Sequence, residues 1–262
     1  MLKRFDDLIG VPPLVADEVK NFYNKFAKES LSEDFSNFNK RQYAIKKLID
    51  RFAKKNSVIL EIGCGAGVVT RHLLSYTTKL LALDISDKNI EIARKYVNSD
   101  KVKFYVADVS NDELEFMQDQ KFDLVLMADV IEHIPKGSHS KLFERIENHL
   151  NESGVFILSY PTPEYQQYLM THKHIALQII DQKLELTEII SKTNLKPFYF
   201  GYQNIWSENQ YIHLVLKKNI SYSDVDVKEG LLTLFRLRFN KYFWYFKNIA
   251  FRRKLNRIIN KV

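Results

Sequence analysis

Short apolar runs alternate along the chain with stretches in which apolar residues recur three and four positions apart. The runs are Val58–Ile62, Lys79–Asp84, Val102–Ala107, Phe122–Met127 and Val155–Ser159. They are too short for helices and read as strands, while the stretches between them read as helices. The helices follow a glycine-rich turn as far as Ser75, then run over Asn89–Val97 and Ser138–Leu150, with a turn at Asn151–Gly154 before the fifth strand. Near-continuous apolar runs suit parallel strands covered on both faces. Upstream, Pro12-Pro13 precedes a helix over Leu14–Glu29. A polar loop, Ser30–Asn39, leads to a helix over Lys40–Lys54 with Tyr43, Ile45, Leu48, Ile49 and Phe52 on one face. Downstream, Tyr160-Pro161-Thr162-Pro163 is a rigid loop. A helix-like insertion, a helix over Thr187–Thr193 and strands at Lys196–Tyr202 and Tyr211–Lys217 follow.

Chemistry gathers where the strands end. The first strand ends in Glu61, then Gly63, Gly65 and Gly67 at every second position. A strand feeding a glycine-rich turn is where nucleotide-like ligands dock on open parallel sheets. Val68 stands where a dinucleotide fingerprint needs its third glycine. The second strand ends in Asp84, 21 residues after Gly63. That is near the spacing at which an acid meets ribose hydroxyls. The third strand runs into Asp108-Val109, and the fourth into Ala128-Asp129-Val130-Ile131-Glu132-His133-Ile134-Pro135.

This series of strand ends resembles the class I S-adenosylmethionine-dependent methyltransferases. Glu61-Ile62-Gly63-Cys64-Gly65-Ala66-Gly67 resembles their motif I, and Glu132-His133-Ile134 resembles a segment after strand four in members acting on quinone precursors and sugars. The resemblance covers about residues 40–218. It implies a Rossmann-like α/β fold with a seven-stranded, mostly parallel sheet and helices on both faces. Residues 1–39 form a helical cap in this reading, about 160–194 a substrate insertion, and 219–262 a basic-aromatic helical extension. The implied cofactor is S-adenosyl-L-methionine, held by Glu61, Gly63, Gly65, Gly67, Asp84, Ile85, Asp108, Val109 and Ala128. Arg41 or Tyr43 could reach its carboxylate. Base-amino methyltransferases resemble one another in an Asn/Asp-Pro-Pro-Tyr/Phe segment after strand four, which is absent here.

Methyl transfer needs alignment, worth up to about 7–11 kcal/mol. A hydroxyl acceptor also needs a base, worth about 10²–10⁴-fold. His133 is the candidate base, because histidine titrates near neutrality and this one follows strand four. Asp129, Glu132, Tyr160, Tyr165, His172 and His174 are the candidate substrate contacts. No metal is expected, since His172 and His174 have no acid cluster at ligand spacing.

Composition bounds the rest. Of 262 residues 45% are hydrophobic and 27% charged, as in globular proteins. One cysteine, Cys64, cannot form an internal disulfide, which fits a reducing cytosol. Met1 to Gly10 lacks the apolar stretch of a signal peptide, and no apolar run would span a bilayer. Net charge is +7, and residues 230–262 hold nine Lys/Arg and no acid; subtracting nine leaves −2 for the first 229 residues. Aromatic and basic residues interleaved from 229 to 262 fit an anionic membrane surface. Core packing, a homodimer interface and nucleic acid are the other readings of that tail. A cytoplasmic enzyme, peripheral at the inner membrane face, is therefore expected. Its acceptor would be a hydroxylated small molecule or lipid-linked glycan methylated on oxygen. A quinone precursor, an RNA or protein substrate, and a non-catalytic cofactor-binding subunit are the alternatives.

Overall fold

Seven strands form one sheet in the order β3-β2-β1-β4-β5-β7-β6 in the computed structural model, which describes residues 18–25, 39–172, 178 and 180–221. They are β1 (Ser57–Ile62), β2 (Thr77–Asp84), β3 (Val102–Val106), β4 (Phe122–Ala128), β5 (Leu150–Pro161), β6 (Lys196–Gln203) and β7 (Tyr211–Lys217). The first five are mutually parallel, and β7 runs antiparallel to both β5 and β6. The chain leaves β3 at one edge and returns as β4 beside β1. The carboxyl ends of β1 and β4 therefore flank a topological switch point, where open sheets of this kind bind ligands.

Strand periodicity sorts the core into two faces. Leu60 and Ile62 of β1, Val125 and Met127 of β4, and Phe156 and Leu158 of β5 pack with Leu142, Phe143 and Ile146 of the helix His139–His149. On the other face Ile59, Leu124, Leu126 and Ile157 pack with Ile45, Leu48 and Ile49 of the helix Lys40–Phe52. Asn39 caps that helix by accepting from Gln42 N–H. Tyr43 departs from its expected face. It is 61% exposed, with Lys47 Nζ over its ring.

The expected turn at Asn151–Gly154 is instead an interruption within β5. Phe122 pairs with Leu150, and pairing resumes at Leu124 with Val155. Asn151 Nδ2 donates to Asp123 Oδ1, which ties the bulged residues to the neighbouring strand. A side chain at Gly154 would lie 2.9 Å from Phe122 O, so the bulge has room only for glycine there.

The helical residues 18–25 pack through Phe22 against Ile180. Asn24 Oδ1 accepts from Ser86 Oγ at 2.7 Å. Among the described residues no helix is long and apolar enough to cross a membrane. The tail assigned to residues 229–262, and His174, lie outside the described residues.

Candidate functional site

A cavity of about 960 Å³ opens over the carboxyl ends of β1, β2 and β4. One half is built from the glycine loop. Gly63, Gly65 and Gly67 all have positive φ, at 76°, 52° and 87°. At Gly63 a Cβ would lie 2.1 Å from Val130 Cγ2, so the turn can pass under the β4 segment only without a side chain. At Gly65 a Cβ would meet nothing within 4 Å, which leaves bare backbone facing the cavity.

Asp84 closes this loop from β2. Its Oδ2 accepts from Gly65 N–H at 2.9 Å, and its Oδ1 accepts from Ser86 N–H and Asn89 Nδ2. Ser86 caps the following helix by accepting from Asn89 N–H, so Asp84 is not the cap. Burial raises the Asp84 carboxyl above the ordinary range, opposed by its three hydrogen bonds. Ile85 and Asn89 line the cavity beside it. Asp108 also lines it, but both carboxylate oxygens are engaged within its own turn. Oδ1 accepts from Ser110 N–H and Oγ, and Oδ2 from Asn111 Nδ2. Val109 and Ala128 line the same half. Cys64 is buried, and burial pushes its thiol well up, so it is an apolar turn residue rather than a nucleophile.

Glu61 is the informative residue of this half. It is 3% exposed, borders the cavity, and its Oε2 has no hydrogen-bond partner. Burial pushes its carboxyl up to about 8, opposed by the neighbouring Thr70 hydroxyl. An unsatisfied buried acceptor beside open glycine backbone and a second carboxylate suits a ligand rich in hydroxyl and ammonium donors.

The other half is built around β4. Asp129 sits at φ 57°, a strained setting for a residue with a Cβ, held by its N–H donating to Ser159 O at 3.0 Å. Asp129 Oδ2 lies 3.7 Å from Arg41 Nη1, and the Arg41 guanidinium lies over the Trp206 ring at 5.6 Å. Glu132 is 3% exposed with Oε2 unpartnered. Burial, and then the charge of Asp129, raises its carboxyl well above the ordinary range. His133 follows in a single 3₁₀ turn, Ile131–His133. Its Nδ1 lies 2.7 Å from Ile180 O, and its ring meets Tyr23 edge-on at 6.2 Å.

The expected acceptor contacts divide. Asp129, Glu132, His133 and Tyr165 border the cavity. Tyr160 does not. Strand alternation puts it on the face of Phe156 and Leu158, where it is fully buried in the core. His172 does not either. It ends the helix Pro163–Thr171, exposed, with Nδ1 bonded to Tyr168 O at 2.8 Å. Tyr23, Gln166, Asp181, Trp206 and Tyr211 border the cavity and were not expected. Three of these lie beyond His174, the last of the candidate substrate contacts. The sheet brings Tyr211 alongside Pro161 through the β5–β7 pairing, a contact that no local spacing signals.

Comparisons with known proteins fit this geometry. Residues 38–197 match a family described as methyltransferase domain. The chain is 29% identical over 120 residues to a ubiquinone biosynthesis O-methyltransferase of Rickettsia akari (strain Hartford), covering 45% of this chain and 46% of that one. It is 30% identical over 111 residues to a protein of the same name from Pelagibacter ubique (strain HTCC1062), covering 42% and 41%. The match thus spans less than half of each of these two curated relatives. Among solved structures, a S-adenosylmethionine-dependent methyltransferase from Clostridium acetobutylicum ATCC 824 aligns with TM-score 0.56 at 18% identity, over 74% of this chain and 98% of that one. A magnesium protoporphyrin IX methyltransferase from Synechocystis PCC 6803 with bound SAH aligns with TM-score 0.59 at 14% identity, over 77% and 99%. At these identities the structural likeness is one of fold.

Proposed function

We propose, for a chain that belongs to the class I S-adenosylmethionine-dependent methyltransferases, that it methylates a hydroxyl oxygen of a quinone precursor with His133 as base. The observation that carries this reading is the setting of His133. It borders the cavity at the end of β4, and its Nδ1 is taken up by Ile180 O. A ring that donates from Nδ1 keeps a lone pair on Nε2.

The cofactor of this family is S-adenosyl-L-methionine, which when bound supplies a methyl group on a positively charged sulfur. The donor set of the first half fits it. Asp84 offers carboxylate oxygens where ribose hydroxyls are expected, and the unpartnered Glu61 Oε2 suits the ammonium end. Gly65 leaves room for a ligand against the backbone. Arg41, rather than the exposed Tyr43, is the residue of its helix within reach of a carboxylate.

On the acceptor side His133 receives the hydroxyl proton at Nε2. Burial, and then the charge of Asp129, raises the Glu132 carboxyl well above the ordinary range, which disfavours a second negative charge in that part of the cavity. Tyr165 and Trp206 supply ring faces suited to a planar acceptor. The names of the curated relatives favour a quinone precursor over the glycan also read from the sequence. The glycan reading rested on the tail and on the Tyr- and His-rich insertion that holds Tyr165, Tyr168, His172 and His174. A membrane surface bound through residues 229–262 would suit a lipid-soluble acceptor equally well.

His133→Ala should lower turnover of a hydroxylated aromatic acceptor by about 10²–10⁴-fold. Calorimetry on the same variant should find cofactor affinity within about twofold of wild type. Undiminished turnover would remove His133 as the base.

A further inference from the structure

Two acceptors face Nδ1 of His133, and both belong to a segment nearly fifty residues further along the chain. Ile180 O lies 2.7 Å away and Asp181 Oδ1 3.5 Å away. Neither can donate, so the neutral ring carries its hydrogen on Nδ1. The opposite nitrogen, Nε2, lies 3.9 Å from Glu132 Oε1, beyond hydrogen-bond reach. The other groups around the ring are the Tyr23 edge and Asp129, which is itself paired with Arg41. Asp181 is the carboxylate on the Nδ1 side.

Asp181 is held as a positioned group would be. Its side chain is 9% exposed. Oδ1 accepts from the buried Gln166 Nε2 at 2.8 Å, and Oδ2 accepts from Gln178 N–H. The next residue straps this segment to the one bearing His133. Gln182 N–H donates to Glu132 O at 3.1 Å, and its Nε2 donates to Ile134 O at 2.6 Å. The separation of Asp181 and His133 is therefore set by a closed frame of hydrogen bonds, not by two free side chains.

We propose that Asp181 is the positioning residue of His133. Ile180 O, which takes the Nδ1 hydrogen, sets the ring form with Nε2 bare, and Asp181 beside it stabilises the imidazolium formed when the acceptor hydroxyl passes its proton to Nε2. The inference rests on the reading of His133 as the base. The carboxylate takes no proton itself. An opposite charge within about 4–6 Å favours the charged form of a titrating ring.

The test uses the full chain labelled with ¹⁵N in histidine and needs no acceptor. Nitrogen shifts of the neutral His133 ring in wild type should be those of the Nδ1–H form. In Asp181→Asn the ring should lose about tenfold in proton affinity. With an acceptor, the acid limb of the Asp181→Asn rate profile should shift to lower pH and kcat should fall, with KM little changed. An Nε2–H ring in wild type overturns the proposal even if no variant folds. So does an Asp181→Asn enzyme that titrates as wild type does, whatever its rate. Turnover that survives His133→Ala would remove the base and this proposal together. Loss in His133→Ala with an unmoved Asp181→Asn profile would remove Asp181 alone.

Discussion

Two carboxylates at the first two strand ends do different work. Asp84 is satisfied within the protein and organises the loop through Gly65 N–H, so its removal would disturb the loop as well as the proposed ribose contact. Asp84→Ala should weaken S-adenosylhomocysteine binding by at least about a hundredfold in calorimetry, equivalent to about 2.7 kcal/mol. Intact binding would show that the ribose is not held there. Glu61, by contrast, is buried and unsatisfied, and its carboxyl is raised to about 8. The folded state therefore binds this proton more tightly than the unfolded chain. Its stabilisation is complete below the ordinary carboxylate range and is lost as pH rises towards about 8. Thermal melts of the ligand-free protein should fall across that window, and Glu61→Gln should flatten the fall. An unchanged slope would mean that Glu61 is charged in the fold.

At the scale of elements, most of the sheet was legible because buried parallel strands are short apolar runs that turn residues bound sharply. β6 and β7 match their expected ranges to within a residue. What was not legible depended on pairing. Glu152 and Ser153 read as a turn, yet they ride in a bulge of β5 because Leu150 already pairs with Phe122. That Glu61, Asp84 and Asp108 border one cavity was legible because each acid stands at or just past a strand end. Tyr160 misled because a polar tip on an aromatic ring suggests a site, whereas its position in the alternation of β5 buries it. Asp181 and Trp206 carried no signal, since their approach to His133 and Arg41 is set by contacts between segments far apart in the chain, such as Gln182 N–H to Glu132 O. The interior of β7 makes one further outcome testable. His213 is 2% exposed, and burial lowers it to about 4. Its folded value lies below its unfolded one, so stability holds above the unfolded value and falls as pH drops from there towards about 4. Urea melts between those limits should show the loss, and His213→Leu should reduce it. Equal slopes in the two proteins would place a compensating charge beside His213.

For the whole molecule, a sheet covered on both faces fixes where ligands can enter, and the cavity at its carboxyl edge joins the half lined by the glycine loop, Asp84 and Asp108 to the half lined by Asp129, Glu132 and His133. In the reaction proposed, a methyl group crosses from one half to a hydroxyl in the other. The most direct measurement is mass spectrometry of a prenylated hydroxyphenol incubated with the full chain and S-adenosylmethionine deuterated in its methyl group. One labelled methoxy group on the phenol, formed in proportion to enzyme, is the result expected. A bound donor with no label in that acceptor, or with label in a sugar, RNA or protein supplied beside it, would rule this reaction out.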